Sequence, residues 1–313
     1  MKNLKPISCR PVRNDWLKAL YTHNLVEVSE RTGLFTDKLY LYKALSANIK
    51  SGLHLYHPHT MGLREFFNKH ALLTAEQELA PLEKIEIALR SEFPTEAVLK
   101  PTTVINTGGE KGLYLFSTNA ILKALHSKQP ELMQTLFATK PHYAELIDKV
   151  ASGEEFLLQE NIGTLAGYPL IEKAKHYEEI RIHTYEDDVI KGASFSRWSM
   201  NEIKNSQKFY WAQDFVQDFL NQLPKEFLAG QAWGLDLLVF DNGTIRILEI
   251  NTNRGVPGQW TGFLSRPQLM GAYTRIIEKK KNVRFRGLSG ILLRHDLGNI
   301  TKHLKKKYIE GIR

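Results

Sequence analysis

Asp236, Glu249 and Asn251 combine residue types and spacing that suit metal chemistry. Asp236 begins an apolar run that ends at Asp241-Asn-Gly243, and Glu249 and Asn251 close the apolar run that follows. This turn between two apolar runs predicts a β-hairpin, because tight turns need residues that accept positive φ. Side chains two apart on a strand share a face, and the antiparallel return brings Asp236 towards them. Two carboxylates and an amide oxygen are hard ligands, so the hairpin predicts a site for Mg²⁺ that carries nucleotide phosphates. An ordinary surface hairpin with acidic ends is the alternative.

The composition bounds the class of protein. With 313 residues, 42% of them hydrophobic and 24% charged, the chain is long enough for two or three globular subdomains. No run approaches the roughly 20 apolar residues of a membrane span, and the first residues lack the apolar segment of a secretory signal. Cys9 is the single cysteine, which excludes an internal disulfide. We therefore expect a cytoplasmic protein without a membrane partner.

The net charge of +8 is concentrated near the C-terminus. Residues 275–313 contain 12 Lys or Arg and 3 Asp or Glu, a surplus of +9, so the other 274 residues sum to −1. A basic segment of this kind suits an anionic partner such as nucleic acid, a phosphorylated metabolite or an acidic peptide. A solvated helix with a charged face is the alternative interpretation.

The predicted elements alternate irregularly between helix and strand. Periodicity and turn residues predict helices over 37–50 (capped by Asp37), 61–92 with an interruption near Pro81, 118–126, 130–151 and 201–223, and strands over 97–101, 113–116, 155–162, 177–185 and 189–196. This order lacks the strict βαβ alternation of a doubly wound fold. It indicates an α+β protein with mainly antiparallel sheets.

From about Asp37 to about Gly255 these motifs resemble, in order, those of the ATP-grasp superfamily. The similarity is to its carboxylate–amine or carboxylate–thiol ligases, such as ribosomal-protein glutamate ligases and glutathione synthetases. The resemblance implies two α+β subdomains that clamp ATP, preceded by an N-terminal region that is shorter than usual. It implies these regions: 1–93, N-terminal and partly on the substrate side; 94–163, small subdomain with a glycine-rich lid; 164–283, large subdomain with the Mg²⁺ site; and 284–313, basic tail.

Several motifs resemble the family's nucleotide site. Lys100 ends the apolar strand Val98-Leu-Lys-Pro101, where a lysine must extend to solvent or find an anion. This strand resembles the one whose lysine contacts the α- and β-phosphates in the family. The loop Thr107-Gly-Gly-Glu-Lys-Gly112 resembles the lid, since its glycines let backbone N–H groups approach phosphate. The resemblance implies the following nucleotide contacts: Lys38, Lys100, Gly108, Gly109, Lys111, Glu160 and Ile162.

Three arginines complete the implied active site. Arg181, in the sequence Glu-Ile-Arg, resembles the family's Glu-x-Arg hairpin, where a planar guanidinium suits a transferred phosphate or an oxyanion. Arg197 lies one hairpin arm later, and Arg254 follows the metal motif. The resemblance implies two Mg²⁺ ions, held by Asp236, Glu249 and Asn251.

The reaction that these motifs imply is ATP-dependent formation of an acyl-phosphate from a carboxylate, followed by attack of an amine, with release of ADP and phosphate. Three alternatives remain open at the level of sequence. One is an ATP-grasp-like kinase of a polyanion such as an inositol phosphate, and another is a polyglutamylase of an acidic protein tail. The third is a nucleic-acid-binding module on a degenerate fold.

Three histidines lie close together in the sequence at His54, His57 and His59. Zinc would need a cysteine or carboxylate positioned beside them. We expect packing or solvent-facing roles for His54 and His57.

Overall fold

The computed structural model describes residues 4–9, 13–27, 34–74, 79–93, 96–102, 115–116, 121–122, 156–162, 177–190, 195–196, 206–252 and 267–286. Its elements run in the order β1 (Lys5–Ser8), α1 (Arg13–Thr22), α2 (Lys38–Asn48), a 3₁₀ helix (Leu53–Leu55), β2 (Thr60–Gly62), α3 (Leu63–Lys69), α4 (Leu82–Glu92), β3 (Ala97–Pro101), β4 (Leu115–Phe116), β5 (Phe156–Glu160), β6 (Tyr177–Tyr185), β7 (Asp188–Val189), β8 (Phe195–Ser196), α5 (Ser206–Asn221), α6 (Lys225–Leu228), β9 (Ala232–Phe240), β10 (Ile245–Asn251), α7 (Pro267–Lys281) and β11 (Val283–Arg286). The mixture of helices with largely antiparallel strands confirms the predicted α+β class.

The chain forms two compact units that are each built from separate segments. Unit 1 comprises residues 1–35, 48–51 and 178–313, and unit 2 comprises 36–47 and 52–177. The predicted regions 1–93, 94–163, 164–283 and 284–313 stay a prediction. The chain crosses from unit 2 to unit 1 at 177/178 because β6 belongs to the sheet of the later strands.

Unit 2 is a four-stranded sheet with helices packed on it, within the part of the chain that the structure describes. The strand order is β2-β5-β3-β4, and each neighbouring pair is antiparallel. The predicted cap of α2 is confirmed, because the Tyr40 N–H donates to Asp37 Oδ1 at 2.8 Å. The predicted interruption near Pro81 is also confirmed, since α4 begins at the next residue. The core contains the large side chains Phe66, Phe67, Leu99, Phe156 and Leu158.

Unit 1 contains the predicted metal hairpin. Its main sheet has the order β10-β9-β6-β7, and β8 also pairs with β6. The turn between β9 and β10 places Gly243 at φ +83°, as an Asp-Asn-Gly hairpin requires. Helix α5 buries the predicted apolar stripe, which includes Ala212, Val216, Phe219 and Leu220.

Helix α7 is fixed to unit 1 by a buried tyrosine. The Tyr273 hydroxyl donates to the carbonyls of Thr184 on β6 at 3.2 Å and Trp233 on β9 at 3.4 Å. Burial raises the pKa of Tyr273, so the hydroxyl stays protonated and keeps both interactions at neutral pH. The helix therefore joins the two strands that carry the site described below.

The basic segment is partly neutralised by the protein itself. Lys280 forms ion pairs with Asp187 and, at 3.0 Å, with Asp188. Lys281 pairs with Glu186 at 2.5 Å. These carboxylates belong to the turn after β6, so two of the basic residues at the end of α7 stabilise the fold of unit 1.

Residues 284–286, predicted to begin a basic tail, belong to a strand of unit 1. Strand β11 pairs in parallel with β1, and Phe285 lies opposite Ile7, both fully buried. Arg284 and Arg286 alternate with these apolar residues on the exposed side. Deleting residues 284–313 would therefore remove part of the core as well as charge.

Gly230 is the glycine where a side chain would meet the backbone. It has φ +69°, and a Cβ atom there would lie 2.8 Å from Glu27 Cβ and 2.9 Å from the Glu27 nitrogen. We expect Gly230→Ala to lower the free energy of unfolding by roughly 2–3 kcal/mol, because backbone strain and a steric overlap add. Urea unfolding followed by circular dichroism measures this change.

Gly243→Ala is the matched control, because φ is +83° there but nothing lies within 4 Å of the added Cβ. Gly243→Ala should lower the free energy of unfolding by about 1 kcal/mol, because only the unfavourable backbone conformation contributes. Equal losses in the two variants would contradict the steric part of this prediction.

Among the described residues, the longest apolar helical stretches all fall short of what crossing a membrane requires.

Candidate active site

A β-bulge places the acidic residues of the hairpin together. Ile247 pairs with Leu237 in regular antiparallel register, and the register then shifts so that Glu249 lies opposite Asp236. In a regular strand Glu249 would share the buried face of Ile247, because side chains two apart point the same way. The extra residue moves Glu249 to the face of Asp236, which is a usual effect of bulges near functional sites.

Asp236 is the centre of this face. It is 1% exposed, and both of its carboxylate oxygens accept hydrogen bonds from Arg181 on β6, from Nε and Nη2, each at 2.5 Å. Asn251 Nδ2 donates to Asp236 Oδ2 at 3.2 Å and to the Gly234 carbonyl at 3.5 Å. The structure therefore brings together Asp236, Asn251 and Arg181, with Glu249 in register beside them.

The donor set fits Mg²⁺ in its chemistry. The buried carboxylate of Asp236 is already compensated by a cation, which shows that this position holds positive charge. Glu249 and Asn251 add oxygen atoms of the kind Mg²⁺ prefers. No cluster of three or more His, Cys, Asp or Glu side chains that could hold a metal occurs within the described ranges, so a metal here depends on the Asn251 amide as a ligand.

Unit 2 holds the second group of predicted residues, of which Lys100 is the centre. Lys100 lies on β3, is 6% exposed, and donates to the side-chain oxygen of Gln159 on β5. Gln159 Nε2 donates to Thr60 Oγ1 at 3.0 Å, and this hydroxyl donates to the Pro58 carbonyl at 3.0 Å. The Lys100 ammonium thus lies buried in a polar network of unit 2, and a lysine on an apolar strand suits an anionic ligand.

Gln159 was not assigned a role from the sequence. The signal was present, because Gln159 is a polar residue inside the apolar run Phe156-Leu-Leu-Gln-Glu160. A polar side chain buried on a strand needs a hydrogen-bond partner, and Lys100 is such a partner for Gln159.

Lys38 and Glu160 lie beside this network. The Lys38 N–H donates to the Thr102 carbonyl at 2.6 Å, which places the start of α2 next to the end of β3. Glu160 ends β5, and its Oε2 accepts from the His59 N–H at 3.3 Å. Ile162 follows two residues later and is half-buried. These residues belong to one unit, whereas the regions implied by the resemblance separate Lys38 from the others.

Five predicted site residues lie outside the described residues: Gly108, Gly109, Lys111, Arg197 and Arg254.

The three clustered histidines have separate roles. His57 is buried, packs against the ring of Tyr42 and donates from Nδ1 to the Pro58 carbonyl at 2.9 Å. His54 is exposed, so the expected packing and solvent-facing roles of these two are confirmed. His59 Nε2 contacts the Glu92 carboxylate at 2.9 Å.

Glu92 is held as a carboxylate by several donors. Burial would raise the pKa of Glu92, but hydrogen bonds from Lys69, His70 and His59 outweigh it and lower the pKa to about 2. Glu92, at the end of α4, thus bonds to His59 just before β2 and to Lys69 and His70 at the end of α3. These bonds stabilise the position of β2 beside the Lys100 network.

The buried His57 makes stability depend on pH. Burial and the charge of Lys100 lower the pKa of His57, the hydrogen bond to Pro58 opposes them, and the net pKa is about 4. Unfolding restores the ordinary pKa of about 6.5, so the unfolded chain binds the proton first. The part of the folding stability that depends on a neutral His57 is therefore fully present above about pH 6.5. It is lost as the pH falls towards about 4.

We expect His57→Asn to reduce the loss of unfolding free energy between pH 7 and pH 5 by about 2 kcal/mol. Denaturant unfolding at the two pH values measures this difference, and the exposed His54→Asn is the control. An unchanged pH dependence in His57→Asn would contradict the burial argument.

The chain was compared with protein families, curated proteins and solved structures. No protein-family model matches the sequence, and no curated protein matches it. Among solved structures, the chain is similar to the ATP-grasp ligase PsnB in complex with a minimal precursor, with 14% identity, a TM-score of 0.37, and coverage of 85% of this chain and 61% of that one. It is similar to N5-carboxyaminoimidazole ribonucleotide synthetase from Thermotoga maritima, with 12% identity, a TM-score of 0.37, and coverage of 86% and 52%.

A third similar structure is the D-alanine–D-alanine ligase from Coxiella burnetii, with 11% identity, a TM-score of 0.39, and coverage of 95% of this chain and 68% of that one. The chain thus spans half to two thirds of the length of the first matched structures. In the order of its motifs, the chain resembles the ATP-grasp ligases.

Proposed function

We propose that this protein is an ATP-dependent ligase that joins a carboxylate to an amine through an acyl-phosphate, with release of ADP and phosphate. The observation that carries the proposal is the acidic face of the hairpin, where Glu249 is in register with Asp236 and Asn251 bonds to it. An oxygen-rich set beside a buried carboxylate suits the cation of a nucleotide triphosphate.

The residues that we assign to the nucleotide belong to unit 2. In unit 2, Lys100 and Lys38 bind phosphates, and Glu160 with the backbone at Ile162 holds the ribose and adenine. Gly108, Gly109 and Lys111 cover the triphosphate. The buried position of Lys100 in the polar network of unit 2 supports this.

In unit 1, Asp236, Glu249 and Asn251 would hold Mg²⁺, two ions in this proposal. Bound Mg²⁺ neutralises phosphate oxygens as a Lewis acid. The arginines Arg181, Arg197 and Arg254 orient the substrate carboxylate and the transferred phosphoryl group, for which a planar guanidinium is suited.

The proposed reaction has two steps. An oxygen of the substrate carboxylate attacks the γ-phosphorus, the bond to the β,γ-bridging oxygen breaks, and ADP leaves. The amine then attacks the acyl carbon, phosphate leaves, and the amine loses a proton. The protein's part is positioning and charge neutralisation.

The test is to incubate the purified protein with Mg-ATP and a metabolite extract, and to follow ADP, free phosphate and product masses together. Equal amounts of ADP and phosphate, with a product equal to two metabolites minus water, are the expected result. ADP without phosphate, with a metabolite heavier by one phosphoryl group, would overturn the ligase and indicate a kinase of the same ATP site.

A further inference from the structure

Arg181 occupies the place where the proposed metal ligand Asp236 would meet its cation. The guanidinium fork of Arg181, formed by Nε and Nη2, bonds to both carboxylate oxygens of Asp236 as a bidentate pair. The Arg181 side chain is 11% exposed and the Asp236 side chain is 1% exposed. A bidentate guanidinium is the strongest pairing that a carboxylate makes with a side chain. Arg181 therefore supplies a counter-ion to Asp236 at this position.

The fold leaves room for this arrangement at Gly234. A Cβ atom on Gly234 would lie 3.7 Å from Arg181 Cδ and 3.6 Å from His183 Cε1. The stem of Arg181 thus passes over a strand position without a side chain. Asn251, which is paired with Gly234 in the hairpin, donates to the same Asp236 oxygen, Oδ2, as Arg181 Nη2.

We infer that Arg181 is an exchangeable counter-ion of Asp236, so that a divalent cation and the Arg181 fork compete for one buried carboxylate. Two cations on one carboxylate repel each other at short range, and a buried site screens that repulsion poorly. Entry of the metal releases the fork to bind another anion, so Arg181 is a positioning residue that couples metal loading to anion binding. This inference rests on the proposed metal site.

Direct metal binding without nucleotide tests the competition. Mn²⁺ affinity is measured by electron paramagnetic resonance of the free ion, and thermal unfolding is followed with and without Mn²⁺. For Arg181→Gln we expect about tenfold tighter Mn²⁺ binding, a range typical of coupled sites. We also expect the unfolding temperature to fall by about 5 °C or more without metal, because a buried carboxylate loses its partner, and to recover with Mn²⁺.

Two further variants keep the test decisive. Arg181→Lys retains the charge and removes the fork, so it should fold and bind Mn²⁺ with an affinity between those of the parent and Arg181→Gln. The paired variant Arg181→Gln with Asp236→Asn removes both charges, so its unfolding temperature should recover without metal while its Mn²⁺ binding is lost.

Unchanged or weaker Mn²⁺ binding in both Arg181 variants, with binding still abolished by Asp236→Asn, would overturn the inference and leave the metal site intact. Mn²⁺ binding that is unaffected by Asp236→Asn would instead remove the metal assignment, and with it both the inference and the proposed function.

Discussion

Replacing Glu249 with glutamine should lower Mg-dependent ATP turnover at least about 100-fold, while the free energy of unfolding changes by less than about 1 kcal/mol. Glu249 lies opposite Asp236, and it is half-buried, whereas Asp236 is fully buried. Glutamine keeps the volume and one oxygen but loses the charge that a divalent cation requires. Release of ADP in steady state, at several Mg²⁺ concentrations, measures the effect.

Glu249 gives a cleaner test of the site than Asp236. Asp236→Asn would also weaken a bidentate ion pair with Arg181, so lost activity and lost stability would appear together. The exposed Glu226→Gln, in the same unit, is the control for removing one carboxylate. Turnover in Glu249→Gln equal to that of Glu226→Gln would refute the assignment of Glu249 to the metal.

Replacing Lys100 with methionine should likewise reduce ATP turnover about 100-fold and leave the protein folded. Removing a buried charge relieves its desolvation, and this offsets the hydrogen bond that Gln159 loses, worth about 1–2 kcal/mol. If Lys100 were needed only for folding, its replacement would reduce activity and stability together. Parallel measurement of ATP affinity and unfolding midpoint separates the two roles.

Lys43→Met is the matched control, because Lys43 belongs to the same unit and forms an exposed ion pair with Glu65 at 2.8 Å. An exposed pair contributes little, so this variant should keep both activity and stability. If Lys43→Met lost as much activity as Lys100→Met, a general charge effect would replace the specific role of Lys100.

Local chemistry made much of the fold predictable. The cap at Asp37, the break at Pro81 and the turn at Gly243 each follow from the backbone preference of one residue. The stripe on α5 follows from the helical period. These features need no information from distant parts of the chain.

The features that were not predicted depend on distant partners. The pair between Arg181 and Asp236 joins residues 55 positions apart, and the motif around Arg181 indicated a phosphate or an oxyanion instead. The two units are assembled from interleaved segments, which composition does not reveal. The bulge was invisible because Ile247-Leu-Glu249 looks the same in a regular and a bulged strand.

The bulge also sets a rule for transplanting this hairpin into another scaffold. Ile245, Ile247 and Ile250 are buried, a spacing of two and then three residues, so Leu248 acts as a spacer that shifts the phase of the strand. A graft in which Leu248 formed part of a regular strand, without the bulge, would turn Glu249 inward and Ile250 outward. The acidic motif is therefore portable only together with its bulge, and an alignment that treats Leu248 as an ordinary strand position would assign the wrong side chains to the metal.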